Sequence, residues 1–297
     1  MKNNILSALI GAGIVLTALA IVSSSTDELH PVEARPSTVK PFELPEQMSI
    51  AGESMPLERL DAQESLDREI LVNSYWQSNN LLMLKRSDKW FPVITPILAD
   101  EGIPEDFKYL ALIESGLQNI VSPAGAAGPW QIMKTTGREA GLIINSEVDE
   151  RYHMEKATRT ACAYLKEAYG KFGNWTLAAA SYNMGMAGTA RRLDEQKVNS
   201  YYDLRLNSET ARYIFRLAAV KHIHEHLSEY GYVYHQTEGY TLPDFDTVQV
   251  QGAVASWVDW AQERGMTYKD LRLYNPWIRS SKLTNSSNNI YSILVAK

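Results

Sequence analysis

The stretch Pro104-Glu105-Asp106-Phe107-Lys108-Tyr109-Leu110-Ala111-Leu112-Ile113-Glu114-Ser115-Gly116 decides how this chain is read. Phe107, Leu110 and Ala111 recur at the i, i+3, i+4 spacing of one helix face, and the next step at that spacing is Glu114. A carboxyl that continues an apolar stripe loses solvation, and that disfavours its charged form. A carboxyl that keeps its proton near neutral pH can act as a general acid. The other reading is a glutamate on a last turn that simply reaches water, because Gly116 ends the helix. Spacing alone leaves both open.

Two stretches further along bear on the choice. Asn119-Ile120-Val121-Ser122-Pro123-Ala124-Gly125-Ala126-Ala127-Gly128-Pro129-Trp130-Gln131-Ile132-Met133 carries no charge and is dense in small residues, which let backbone approach a ligand closely. Trp130 offers a flat apolar face, Gln131 a donor and an acceptor, and Met133 an adaptable surface. That mixture suits sugar rings, with their apolar faces and hydroxyl edges. It also suits an ordinary surface loop with one Trp pinned in the core. Asn174-Trp175-Thr176-Leu177-Ala178-Ala179-Ala180-Ser181-Tyr182-Asn183-Met184-Gly185 reads as an Ala-rich helix, capped by Asn174 and stopped by Gly185, with Tyr182 and Asn183 on its last turn.

Glu114-Ser115, then Gly128-Pro129-Trp130-Gln131-Ile132-Met133, then Ser181-Tyr182-Asn183 resemble the three signature motifs of the soluble-type lytic transglycosylases, and within that family the membrane-bound lytic murein transglycosylase D group. The resemblance covers roughly residues 90–225. It implies a mainly α, lysozyme-like (goose-type) catalytic domain. It assigns Glu114 as the single acid and base, and Ser115, Gln131, Met133, Tyr182, Asn183 and Tyr213 as substrate-binding residues. Tyr213 stands in Asn207-Ser208-Glu209-Thr210-Ala211-Arg212-Tyr213, which looks like the family's later Glu-Thr-x-x-Tyr helix start. Two departures from the pattern are Pro129, where an aliphatic residue is common, and Ser181, where Ala is usual. The family's chemistry cuts the MurNAc-GlcNAc β-1,4 bond of peptidoglycan glycan strands and uses the C6 hydroxyl of the muramic acid, giving 1,6-anhydro ends.

Glycosidases usually need two carboxylates beside the scissile bond. The motif region offers one. Asp149 and Glu150 are the nearest alternatives, but Glu147-Val148-Asp149-Glu150-Arg151 reads as a charged run serving the dipole of the next helix. A hydrolytic muramidase on the same fold would have to recruit one of them. A non-catalytic wall-binding protein is the third reading, and an intact Glu114, Gln131, Tyr182 and Asn183 argue against it.

The 297 residues suffice for one good core and one small extra domain, and 45% hydrophobic with 22% charged is globular composition. A net charge of −6 gives no electrostatic case for nucleic acid. Cys162, in an amphipathic helix expected over Met154–Phe172, has no partner for an intrachain disulfide. His222-Ile223-His224-Glu225-His226 puts two imidazoles on one face without a further ligand, so the run reads as a solvated face; no metal and no cofactor are assigned.

Residues 1–25, with Lys2 before an apolar run at Ile5–Val22, read as a signal peptide or membrane anchor, which would place the enzyme at the periplasmic face of the cell envelope, membrane-bound if the segment is uncleaved. Residues 26–65, rich in Pro and poor in aromatics, read as a linker. The catalytic domain is expected over 66–235, with Pro92 and Pro96 interrupting a helix. Residues 240–297 read as strand, helix, helix, strand, with Asn275-Pro276 after the second helix. This order resembles a LysM module, which binds N-acetylglucosamine-containing glycans, but Gly252-Ala253-Val254 replaces its usual turn. The alternative role for this part is a cap packed on the catalytic domain.

Overall fold

The computed structural model describes residues 39–297, and from Phe42 to Lys297 the chain folds as one unit. The expected leader and the first part of the expected linker lie outside the described residues. The fold class is the one the sequence points to: mainly helical, with a small C-terminal βααβ module.

Beyond Phe42 the expected linker is instead part of the core. Met48, Ile50, Met55 and Leu57 are buried in the main apolar cluster. Ser49–Ile50 (β1) and Glu53–Ser54 (β2) pair antiparallel around Ala51-Gly52, both at positive φ. The prolines stiffen this segment rather than exclude it, and its buried residues follow no helical or strand period that would have betrayed them. Glu53 anchors it: its carboxylate accepts hydrogen bonds from Trp175 N at 2.6 Å, Thr176 N at 2.8 Å and Thr176 Oγ1 at 2.6 Å.

Leu60–Tyr75 (α1) is followed after Trp76 by Gln77–Asp100 (α2), which runs through Pro92 and Pro96 without a break. Each proline removes one helical hydrogen bond. The two lie one turn apart, both on the exposed side of the helix. A turn of 3-10 helix at Glu105–Phe107 leads into Lys108–Ser115 (α3), and Lys134–Glu139 (α4) is short.

Met154–Phe172 (α5) has the bounds its periodicity predicts, and Cys162 on it is buried and free. Trp175–Met184 (α6) is capped by Asn174 Oδ1, which accepts from Leu177 N at 2.8 Å. Met186–Gln196 (α7) precedes Ser208–Glu225 (α8), whose cap is Asn207, accepting from the Glu209 and Thr210 amides. α1 packs along α8, and α5 lies between α2 and α6. The histidine run at the end of α8 is not a solvated face: His224 Nε2 lies 3.0 Å from Asn80 Oδ1, and burial pushes its pKa down to about 3, while the rings of His222 and His226 pack tilted against each other, 4.2 Å apart.

In the C-terminal module, Phe245–Gln251 (β3) pairs antiparallel with Ile290–Ala296 (β4), framing Trp257–Gln262 (α9) and Tyr268–Tyr274 (α10). The buried Asn275 joins α10 to β4 by donating to Leu294 O and accepting from Leu294 N, both at 2.8 Å. This module has its own core, which also takes in Ala127, Val148 and Tyr152 from the helical part. Backbone bonds from Asp149 N to Trp277 O (2.9 Å) and from Arg279 N to Glu147 O (2.8 Å) fasten it to the segment 147–152.

Candidate active site

Along α3 the side chains of Tyr109, Leu110, Ala111, Leu112, Ile113 and Ser115 are all buried, so the helix is wrapped on every side rather than along one stripe. Glu114 is the half-buried residue on its last turn. Gly116, in the left-handed conformation at φ 60°, stops the helix there. The Tyr213 hydroxyl, from α8, donates a hydrogen bond to Glu114 Oε1. Loss of solvation raises the carboxyl from its usual 4.5 to about 7; Tyr213 and the positive charge of Arg216 oppose that rise, and Glu209 adds to it. A carboxyl poised near 7 can give up and take back a proton at neutral pH.

Glu114 opens into a cleft of about 380 Å³. Of the residues singled out from sequence, Gln131, Asn183 and Tyr213 share that cleft with it. Ser115, Tyr182 and Met133 do not form its wall. The buried Ser115 hydroxyl donates to Pro129 O at 2.7 Å and accepts from Gln118 N at 3.2 Å. The Tyr182 hydroxyl donates to Trp130 O at 2.8 Å, and its ring meets Tyr164 edge-on. Both therefore hold the loop rather than a ligand. Met133 caps α4 and is 43% exposed.

The loop itself is tightly constrained. Trp130 is fully buried, and its indole N–H donates to Thr158 Oγ1 at 2.8 Å, so the pinned-core reading holds and the ring presents no face to a sugar. Gln131 adopts a positive φ of 46° and donates its amide to Gly128 O at 2.9 Å. At Gly128, φ is 80°, and an added Cβ would stand 1.9 Å from Arg151 O, so no other residue fits. Arg151 holds the loop from behind, donating to Gly125 O at 3.0 Å and Ile132 O at 3.2 Å.

Asp149 and Glu150 do not reach the cleft. Asp149 makes a two-pronged ion pair with Arg151, at 3.0 and 2.7 Å. Glu150 accepts from Ile143 N at 2.7 Å and pairs with Lys156. Both are buried and committed to structure. The carboxylates that do line the cleft beside Glu114 are Glu69, from α1, and Glu209. Glu69 is buried and paired with Arg68 and Arg212; Glu209 is exposed, with no ion pair among the described residues. Sequence reasoning missed Glu69, Trp76, Arg212 and Arg216 on this wall. The first two precede the stretch that carries the family resemblance. The arginines sit at −1 and +3 from Tyr213, and that i, i+3 spacing puts Arg216 on the tyrosine's face of α8.

Residues 94–205 match the family model of the transglycosylase SLT domain, and residues 246–297 that of the soluble lytic transglycosylase C-terminal LysM-like domain. The chain is homologous to membrane-bound lytic murein transglycosylase D from two strains of Escherichia coli, with 27% identity over 152 residues, covering 49% of this chain and 34% of each relative. It thus spans about a third of the length of the curated relatives it matches. Among solved structures it is similar to an inactive mutant of lytic transglycosylase Slt from Pseudomonas aeruginosa (22% identity, 46% of this chain and 24% of that one, TM-score 0.38). It is also similar to the 70 kDa soluble lytic transglycosylase from Escherichia coli (18% identity, 55% and 31%, TM-score 0.41). The chain carries a transglycosylase SLT domain followed by a LysM-like C-terminal domain.

Proposed function

We propose that this chain is a lytic transglycosylase that cleaves the MurNAc-GlcNAc β-1,4 bond of peptidoglycan and leaves 1,6-anhydro-MurNAc ends. The observation that carries this is Glu114: one carboxyl held near pKa 7 at a cleft, with Asp149 and Glu150 committed to ion pairs elsewhere. Protonated Glu114 gives its proton to the glycosidic oxygen as the C1–O bond breaks. The C6 hydroxyl of the same muramyl residue then attacks C1 and returns its proton to Glu114. No water is consumed, and the nucleophile is already in place, which gives it a high effective concentration.

Tyr213 holds Oε1 by its donated hydrogen bond; Asn183 offers its amide to sugar hydroxyls in the same cleft, and Gln131, whose NH2 donates to Gly128 O and Ile120 O, offers its amide oxygen. Ser115 and Tyr182 act through the loop they fix. The envelope, on its periplasmic face, is the compartment where this substrate lies, and the relatives named membrane-bound support that placement. The C-terminal module serves as a brace: it is fastened to residues 147–152, and Arg151 of that segment holds the cleft loop.

Digestion of purified sacculi by the full chain, followed by product mass, tests the reading. Anhydro ends are expected, and Glu114→Gln should abolish them. Reducing ends, heavier by one water, would point to hydrolysis. Glu209 would then have to be the base, so Glu209→Gln would stop a hydrolase, whereas a transglycosylase should go on releasing anhydro ends with its alkaline limb moved lower, because Glu209 helps raise the Glu114 carboxyl.

A further inference from the structure

The wall of the cleft formed by α1 and α8 carries chemistry that the reaction does not use. Arg216 lines the cleft together with Glu114, and among the described residues it makes no ion pair or hydrogen bond. Glu114 must be protonated to act as an acid. At that moment Arg216 is a half-buried guanidinium with no carboxylate paired to it, which is an unfavourable state. Arg212, one turn away on α8, is differently placed. It donates from Nε to Ser208 O at 2.7 Å, and Glu69 partly balances it at 3.7 Å, a carboxylate already shared with Arg68. Glu209, the other acid at this cleft, is exposed on the first turn of α8. On the same wall Trp76 is 56% exposed and Val72 46%, an apolar surface open to water beside a cationic group.

We propose that Arg216, with Arg212 beside it and Trp76 supplying an apolar platform, forms an anion-receiving subsite that binds a carboxylate carried by the muramyl residue of the substrate. This rests on the reading of the cleft as glycan-cutting. A guanidinium offers a planar fork that matches a carboxylate, and an indole face takes the apolar side of a sugar ring. In murein that carboxylate has two sources. Where the stem peptide has been removed, it is the lactyl group itself. Where the stem peptide is present, the lactyl group is an amide and the acids lie further out along the peptide.

Binding, measured apart from turnover, tests this. Calorimetry with the Glu114→Gln chain would use three soluble glycan preparations: peptide-bearing strands, amidase-stripped strands, and stripped strands whose carboxyls have been converted to amides. Adding Arg216→Gln should weaken binding about tenfold or more to at least one of the first two, and less than about twofold to the third. The preparation that suffers identifies the carboxylate as lactyl or stem peptide. Arg216→Lys should recover part of the loss, because charge returns without the fork. Arg212→Gln should show the same preference for charged strands to a smaller degree. Equal weakening on all three preparations, or none, overturns the proposal. Anhydro release by the unsubstituted chain is a separate measurement, so its failure would count against the reaction and not against this subsite.

Discussion

Replacing Glu114 by Gln preserves shape and leaves Tyr213 an oxygen to bond, while removing the titration. The carboxyl titrates near 4.5 in the unfolded chain and near 7 in the folded one. Between those values the folded protein holds a proton that the unfolded chain has released. Stability therefore falls as pH rises from about 4.5 to about 7, and the cost is fully present above 7 and absent below 4.5. At ~1.4 kcal/mol per tenfold, the full displacement is worth about 3 kcal/mol. Because Glu114 keeps some contact with water, about 2 kcal/mol is expected. In a chain of this size ~2–4 °C accompanies each kcal/mol. The Gln variant should then unfold about 4–8 °C above the parent at pH 8 and at the same temperature at pH 4. Circular dichroism melts of both proteins at pH 4, 6 and 8, at one ionic strength, measure this, since other titrations largely cancel in the difference. Anhydro release should fall by at least about 10²-fold in the same variant. A difference in melting that does not change with pH would mean the carboxyl is hydrated and ionised, and the general-acid argument would fail.

Tyr213→Phe removes a hydrogen bond that favours the charged carboxyl, so the alkaline limb of the rate profile on sacculi should move above about 7 and kcat drop about tenfold to hundredfold; an unmoved limb would count against the contact. Gly128→Ala forces a Cβ onto Arg151 O at a positive φ and should cost at least about 3 kcal/mol; a melting temperature within 2 °C of the parent, on the order of one kcal/mol at this size, would show that the loop relaxes. Glu53→Ala strips three hydrogen bonds from the start of α6 and should cost about 2 kcal/mol, with faster hydrogen exchange at the Trp175 and Thr176 amides; unchanged exchange would detach the hairpin from the helix.

What the sequence disclosed was local. The bounds of α5, the cap at Asn174 and the βααβ order of the C-terminal module follow from periodicity and capping chemistry written within a few residues of each other. The pairing of Glu114 with Tyr213, 99 residues apart, was reachable through the family resemblance and through no local pattern. What stayed hidden depended on where distant segments land. Trp130 looks like a sugar platform until α5 supplies Thr158 to its indole N–H, whereas Trp76, an unremarked residue between two helices, is the exposed aromatic at the cleft. Ser115 looks like a ligand contact until the Pro129 carbonyl is seen to take its hydroxyl. The hairpin at 49–54 and the continuous helix through Pro92 and Pro96 went unread because proline was weighed as a breaker, without knowing which side of the chain faces water.

Two hydroxyls, Ser115 from the helix of the acid and Tyr182 from α6, seize the adjacent carbonyls of Pro129 and Trp130, while Arg151 grips the same loop from behind. The cleft is therefore a vice with one fixed jaw. On that side the proton donor, the loop and the far helix are triangulated, and none can shift without breaking a bond to another. The facing wall, where α1 rests along α8 and Trp76 stands open to water, reaches the acid through the Tyr213 hydroxyl. Glu114 is thus held from both walls, by the helix that carries it and by Tyr213, whose hydroxyl sets the direction in which the carboxyl meets the cleft.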